Sequence, residues 1–166
     1  EPHELYAGEM AEIVFKIVDA EGPIHEDEVV TRVRSLWSLS RAGSRIQLAV
    51  KNGLALASRD KRIAHDGPFY DLPGRATRIR DRSNVESGGL RKPEYLPPNE
   101  IRRAIVELVA SHHGAHRGEI PQGLARVLGF KATSAQLRET IDKEISKLIN
   151  RNELAEAESM LRVTSN

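Results

Sequence analysis

The feature that most constrains the fold is an internal repeat. When the sequence is shifted by 91 positions, the apolar pattern of residues 10–72 falls on residues 101–163 without a gap. Such self-similarity at a fixed offset is typical of chains built from copies of one structural unit. The apolar pairs include Met10/Ile101, Val14/Ile105, Val33/Leu124, Val50/Ile141 and Leu54/Ile145. Few residues are identical, so the match is one of burial pattern, and it predicts two copies of one fold.

Each copy has three segments of helical periodicity, followed by two short apolar pieces around a tight turn. Apolar residues at i, i+3, i+4 and i+7 indicate helices with one buried face. The turn at Asp66-Gly67-Pro68, between apolar pieces, is typical of a β-hairpin. The first predicted helix ends before Gly22 in the first copy and near Gly114 in the second. The second predicted helix covers 26–37 and 117–128. The third runs from residue 40 or 43 to 58 in the first copy and from 133 or 134 to 150 in the second.

These elements predict a mainly α fold with small β-hairpins (α+β). The second and third helices of each copy form a helix-turn-helix and the hairpin forms a wing, so the architecture is a tandem of winged-helix repeats. The first winged-helix domain covers residues 1–73 and the second covers 97–166. Residues 74–96 are rich in Pro, Gly, Ser and Arg and lack periodicity, which predicts a basic linker.

Composition excludes several classes of protein. Apolar residues make up 39% of the 166 residues and charged residues 30%, which favours a folded domain over a disordered chain. No apolar run approaches the roughly 20 residues of a membrane span, so we expect no membrane partner. The absence of cysteine excludes disulfides and fits a cytoplasmic protein. Because the chain does not begin with Met, we expect a piece of a larger protein.

The net charge of +1 conceals an uneven distribution. Residues 1–40 carry −6, residues 41–74 carry +3, residues 75–93 carry +4 and residues 94–166 are neutral. Positive charge is thus concentrated between Arg41 and Lys92, which favours a polyanionic partner.

The third helix of the first copy is the strongest candidate for contact with such a partner. Its start carries Arg41 and Arg45, although the positive end of the helix dipole favours acids there. Arg, Gln, Lys and Asn on its outer face are able to contact bases and phosphates. The alternative is an ordinary solvated face. The predicted DNA-binding residues are Arg41, Ser44, Arg45, Gln47, Lys51 and Asn52 on this helix, and Arg59, Lys61 and Arg62 at the base of the wing.

The cations of the linker are further candidates for contact with a phosphate backbone. They are Arg75, Arg78, Arg80, Arg82, Arg91 and Lys92, of which Arg78, Arg80 and Arg82 complete the predicted DNA-binding set. The alternatives are a flexible solvated tether, pairing with the acidic region 1–28, or pairing with other parts of a parent chain.

The third helix of the second copy differs in charge. Arg138, Lys143 and Lys147 are balanced by three acids, and the spacing of Glu139 and Lys143 favours support of the helix. We therefore expect a packing or protein-contact role for this copy.

Neither the histidines nor any sequence motif indicates a metal-binding or catalytic site. The sequence His112-His113-x-x-His116 has metal-like spacing, but it lies across a helix end and a glycine turn. His25 and His116 share one repeat position at the start of the second helix, which favours a capping or packing role. No phosphate-binding glycine loop or supported Ser-His-Asp set is found. We expect no catalytic residue, no metal and no cofactor.

Several short motifs resemble a known family. They are residues 40–46 (Ser-Arg-Ala-Gly-Ser-Arg-Ile), 69–73 (Phe-Tyr-Asp-Leu-Pro), 78–83 (Arg-Ile-Arg-Asp-Arg-Ser), 97–101 (Pro-Pro-Asn-Glu-Ile) and 129–133 (Gly-Phe-Lys-Ala-Thr). Together, over residues 5–165, they resemble bacterial domains of unknown function at the C-terminal end of large superfamily-one helicase proteins, which also carry a restriction-endonuclease-like domain. The resemblance implies that helicase and nuclease chemistry lies elsewhere in a parent protein, whose other domains are partners. The family's basic-Gly-x-Arg-Ile turn is absent from residues 132–137, which argues against nucleic-acid contact by the second copy.

The sequence as a whole predicts a non-catalytic, duplex DNA-binding tandem winged-helix module. The third helix of the first copy would enter a major groove. The alternative is a protein-interaction or dimerisation module, in which exposed Leu48 and Leu56 contact a partner. A third hypothesis is a free-standing transcription regulator.

Overall fold

The computed structural model describes residues 1–165 and divides the chain into two compact units. The first is Glu1–Ala76 and the second begins at Thr77. Each unit contains α-helices and a small antiparallel sheet of three short strands. The predicted fold class, mainly α with small β-hairpins, is confirmed.

The first unit has three helices, a strand between the first two, and a hairpin after the third. The middle strand of its sheet is the last one, with the other two strands antiparallel on either side. Ile24 lies opposite Tyr70, and Ala64 lies opposite Asp71. The elements are α1 (Ala7–Glu21), β1 (Ile24–His25), α2 (Glu26–Leu36), α3 (Ser44–Arg59), β2 (Ala64–Asp66) and β3 (Phe69–Asp71).

Local sequence signals explain where α2 begins, whereas the start of α3 lacks them. The His25 side chain caps α2, because its Nδ1 accepts a hydrogen bond from the backbone N–H of Asp27 at 3.1 Å. Three acids in the first turn of α2 stabilise the helix, because their negative charges lie at the positive end of its dipole. In contrast, α3 begins after Gly43, with no side-chain cap and no acid in its first turn.

The core of the first unit is aliphatic and lies between α1, α2 and α3. The helices α1 and α3 approach closely at Gly53, where a Cβ would stand 2.7 Å from Cγ of Met10 and 3.1 Å from its carbonyl carbon. Trp37, the single tryptophan of the sequence, is half-buried against this core just before the α2–α3 turn. The buried core residues are Met10, Ala11, Val14, Val18, Ile24, Val29, Val33, Ile46, Val50, Leu54, Ala57 and Ile63.

The second unit repeats this order of elements. Ala7 and Pro98, which begin α1 and α4, are 91 positions apart, and so are Ser44 and Ala135, which begin α3 and α6. In its sheet, Ala115 lies opposite Leu161 and Glu156 lies opposite the same residue on the other side. The elements are α4 (Pro98–Ser111), β4 (Ala115–His116), α5 (Ile120–Val127), α6 (Ala135–Asn150), β5 (Leu154–Ala157) and β6 (Met160–Val163).

The second core uses the residues that the repeat aligns with the first. A short 3-10 helix, Arg117–Glu119, precedes α5, and His116 caps it by accepting from the N–H of Gly118 at 3.2 Å. The capping role predicted for His25 and His116 is therefore confirmed. Core residues include Ile101, Ile105, Val109, Ile120, Leu124, Leu128, Leu137, Ile141, Ile145, Leu148, Leu154 and Leu161.

Most of the segment assigned to the linker lies within the second unit. Residues 77–96 contain two short 3-10 helices, Gly88–Arg91 and Pro93–Tyr95, and Leu96 is buried in the second core. The backbone N–H of Arg82 donates to the carbonyl of Leu128 at 3.0 Å. We call residues 77–85 the strap. Polar and backbone contacts hold it together with one apolar side chain, Ile79, which packs against the second core, and a single apolar residue gives the sequence no periodicity there.

Candidate nucleic-acid interface

The exposed face of α3 is basic and free of acids. The helix contains three Arg or Lys residues and no Asp or Glu. Its buried residues follow helical spacing, so the opposite side faces solvent continuously. The exposed polar and charged residues of this face are Ser44, Arg45, Gln47, Lys51, Asn52 and Arg59. The structure thus places the six predicted residues from Ser44 to Arg59 on one surface of one helix.

Two arginines lie at the N-terminal end of this face. Arg41 precedes the helix and Arg45 lies in its first turn, and both are exposed. Among the described residues of the first unit, neither forms an ion pair with a carboxylate. Uncompensated cations oppose the positive end of the helix dipole, and an anion bound there would remove this repulsion.

Gln47 is engaged by its own unit. Its side-chain Nε2 donates to the backbone carbonyl of Ala42 at 3.1 Å, which fastens the α2–α3 turn to the first turn of the helix. This hydrogen bond uses the donor group with which a glutamine amide would recognise a base.

Lys51 takes part in an ion pair that the second unit repeats with reversed charges. Its Nζ lies 3.8 Å from a carboxylate oxygen of Glu26 at the start of α2. The positions 91 residues further on hold Arg117 and Asp142, which pair at 2.8 Å. The fold thus joins the start of its second helix to its third helix with a pair of either polarity. Lys51 therefore has a structural partner, although its side chain is 60% exposed.

A charge-swap experiment tests this structural role of Lys51. Lys51→Asp alone places two carboxylates together, whereas Glu26→Arg with Lys51→Asp recreates the pair of the second unit. Because the pair is solvent-exposed, we expect the two changes to couple favourably by up to about 1 kcal/mol. Urea denaturation of the four proteins in the double-mutant cycle measures this coupling. Additive effects of the two substitutions would contradict the structural role.

The three cations at the base of the hairpin differ in their surroundings. Arg59 and Lys61 are exposed, and the side chain of Arg59 retains 77% of its accessible surface although its Nε lies 3.6 Å from a carboxylate oxygen of Asp60. Arg62 instead donates to Glu12 of α1 at 2.7 Å and lies 4.1 Å above the ring of Phe15. The base of the hairpin therefore offers Arg59 and Lys61 to a ligand, while Arg62 holds the hairpin to α1.

The strap arginines have diverging roles, and the structure corrects the prediction for two of them. Arg82 is 4% exposed, and its two terminal nitrogens each donate to a different carboxylate oxygen of Glu100 at 2.7 Å. Arg80 donates to the same carboxylate at 2.9 Å. Both side chains belong to a buried ion network rather than to a phosphate-binding surface. Arg78 is exposed and keeps its place in the candidate set.

Glu100, at the centre of this network, is fully buried. Burial by itself raises the pKa of its carboxyl group, but the hydrogen bonds from Arg82 and the charges of Arg82 and Arg80 outweigh it and hold the pKa below its usual value. Sequence reasoning missed this residue, because an acid in the first turn of a helix looks like ordinary support of the dipole. The signal that could have identified Glu100 as buried is its position at the start of the apolar stripe of α4.

The helix α6 lacks the basic surface of α3. Lys143 pairs with Glu139 at 3.2 Å, and Lys147 pairs with Glu144 at 2.7 Å. Glu144 is buried and also accepts from Arg102 of α4 at 2.7 Å. Lys143 and Lys147 thus support their own unit, and the equal number of acids and bases agrees with the neutral third helix that the sequence indicates.

The two leucines of the protein-interaction alternative differ in their exposure. Leu48 is 60% exposed in the middle of the α3 face. Leu56 is half-buried and packs against the first core. A partner-binding surface on α3 would therefore contain Leu48 without Leu56.

The described part of the chain, residues 1–165, contains no cluster of metal ligands and no membrane-spanning helix. In this range no group of three or more His, Cys, Asp or Glu side chains is placed to hold a metal ion. None of the helices in it combines the length and the apolar character needed to cross a membrane.

The fold and the site define a two-unit, mainly helical protein with small sheets and one basic, acid-free helix face. Residues 1–48 match the family described as "Protein of unknown function (DUF3320)". The matched region covers α1, α2 and the first residues of α3. It supports the predicted similarity to a domain of unknown function. Neither the curated proteins nor the solved structures gave a significant match to the chain.

Proposed function

We propose that the first unit is a winged helix that binds duplex DNA through α3, without catalysis. The observation that carries this proposal is the contrast between the two third helices. The helix α3 carries three cations and no acid, whereas α6 carries three cations and three acids, two of which pair with Lys143 and Lys147. Because the two units share one order of elements, the fold does not require this basic face. A ligand of opposite charge explains it.

The proposed mechanism inserts α3 into a major groove, as helix-turn-helix proteins do. Arg41 and Arg45 contact phosphates where the helix enters the groove, and Arg59 and Lys61 contact the backbone beside the hairpin. About four to six phosphate contacts would make the logarithm of the affinity fall with the logarithm of salt concentration, with a slope near −0.9 per contact.

We propose further that the chain is an accessory part of a larger helicase and nuclease protein in the cytoplasm. The motif resemblance supports this assignment, and the match of residues 1–48 to a family of unknown function is compatible with it. In this proposal the second unit packs against other domains of the parent protein, because its third helix is neutralised.

Charge reversal at Arg45 tests the DNA-binding proposal. Fluorescence anisotropy with a labelled duplex of about 20 base pairs is expected to show salt-dependent binding by the wild type. Arg45→Glu should weaken binding at least about tenfold, because it removes one phosphate contact and adds repulsion. Arg138→Glu, the same substitution on the exposed face of α6, is the matched control and should leave the affinity unchanged.

Three outcomes would contradict the proposal. They are the absence of duplex binding, an affinity independent of salt, or equal losses for Arg45→Glu and Arg138→Glu. Light scattering on the same samples measures the oligomeric state. Self-association that Leu48→Ala abolishes, without any DNA binding, would establish the dimerisation alternative instead.

A further inference from the structure

The centre of the basic α3 face is uncharged. Leu48 is 60% exposed. On a helix, its neighbours at i−3, i+3 and i+4 are Arg45, Lys51 and Asn52. Exposed Ala55 continues the same side at i+7. Cations therefore border a small surface made of one leucine, one asparagine and one alanine.

The second unit has no such surface at the corresponding positions. Those of Leu48 and Asn52 hold Glu139 and Lys143, which form an ion pair at 3.2 Å. The shared fold thus accommodates charged residues at both positions. Of the two third helices, α3 alone has the uncharged centre.

The other polar residues of the α3 face have partners within the first unit or lie near its end. Gln47 donates its amide to Ala42, and Lys51 pairs with Glu26. Arg45 lies in the first turn, where phosphate contacts of groove-bound helices are common. This leaves Leu48 and Asn52 as the residues aimed at base edges.

The chemistry of these two residues matches one kind of base pair. In the major groove, thymine presents a methyl group, and adenine presents an acceptor and a donor side by side. Leucine packs against the methyl group, and the asparagine amide pairs with both groups of adenine. At a G·C pair the leucine would instead cover polar groups without giving them a hydrogen bond, which is unfavourable.

We infer that α3 prefers A·T base pairs, because Leu48 contacts the thymine methyl group and Asn52 contacts adenine. This inference rests on the proposed function and names the base specificity of the same site.

The test compares three duplexes that differ only in a central segment of about six base pairs. The first segment alternates A and T, the second alternates G and C, and the third is the first with every thymine replaced by uracil, which lacks the methyl group. For the wild type we expect the A·T duplex to bind roughly tenfold more tightly than the G·C duplex. The uracil duplex should lose a substantial part of this preference.

Variants assign the preference to residues. Leu48→Ala should bind the thymine and uracil duplexes equally, and Asn52→Ala should reduce the preference for A·T over G·C. Leu36→Ala is the matched control, because Leu36 is also exposed, at 64%, and belongs to α2. It should behave as the wild type on all three duplexes.

The outcomes separate this inference from the proposal on which it rests. If no duplex binds, the DNA-binding proposal fails. If all three duplexes bind with equal affinity, or if Leu48→Ala keeps the full response to thymine methyl groups, the A·T inference fails and DNA binding stands.

Discussion

Replacing Glu100 by alanine is expected to destabilise the second unit by about 3–5 kcal/mol. The substitution leaves the Arg82 guanidinium buried at 4% exposure without the carboxylate that neutralises it. An unpaired buried charge is far more costly than the loss of a surface pair. It also frees Arg80, so the strap loses two of its anchors.

Urea denaturation of the full chain, followed by far-UV circular dichroism, measures the loss. Hydrogen–deuterium exchange locates it, and we expect faster exchange in α4 and the strap. Glu107→Ala is the control, because it removes an exposed acid that pairs with Arg103 on the same helix. Its cost should be about 0.5 kcal/mol at most. Unchanged exchange in α4 of Glu100→Ala would show that the network does not support this unit.

The same carboxylate predicts a pH dependence. Its folded-state pKa is lower than its unfolded value, which is near 4.3 for glutamate. The stability that it contributes is therefore fully present above that unfolded value, and it is lost as the pH falls through the folded-state pKa. Between neutral pH and pH 3, Glu100→Gln should lose less stability than the wild type does, because it lacks this titration. Parallel pH profiles would contradict the assignment.

Gly129→Ala is expected to destabilise the second unit by roughly 2–4 kcal/mol. Gly129 has a φ of +79°, in the left-handed region that a residue with a Cβ disfavours. An added Cβ would also stand 2.3 Å from the backbone nitrogen of Ser83 and 2.6 Å from that of Arg82. The strap would have to move away from the end of α5 and give up the hydrogen bond from Arg82 to Leu128.

Gly74→Ala separates the two contributions to this effect. Gly74 has a similar φ of +71°, but no atom lies within 4 Å of its added Cβ. This variant carries the backbone strain alone, so we expect it to cost about 1 kcal/mol. Thermal denaturation of the two variants side by side measures the difference. Equal costs would mean that the approach of the strap to Gly129 contributes nothing.

The helices were predictable because their apolar stripes repeat within each copy. The apolar residues at 10, 14 and 18 have counterparts at 101, 105 and 109, and all six are buried. The strands β1 and β4 are not predictable as strands from the sequence. With two residues each they carry no period, and their pairing is decided by the distant strands β3 and β6.

The candidate site was predictable where exposure follows from helical spacing alone. This holds for Arg45 and Asn52, which lie opposite the buried stripe of α3. It fails for Arg82, because its partner Glu100 is 18 positions away and neither periodicity nor local charge reveals the pair. Arg62 fails for the same reason, since its partner Glu12 belongs to another helix, 50 positions away. Gln47 is exposed as predicted, but its hydrogen bond to the carbonyl of Ala42 does not follow from helical spacing.

The position of Trp37 gives the chain a built-in optical probe. Indole emission depends on its surroundings, and this indole lies against the core of the first unit, next to the turn that leads into α3. Nucleobases that approach this turn should therefore change its fluorescence without any attached dye.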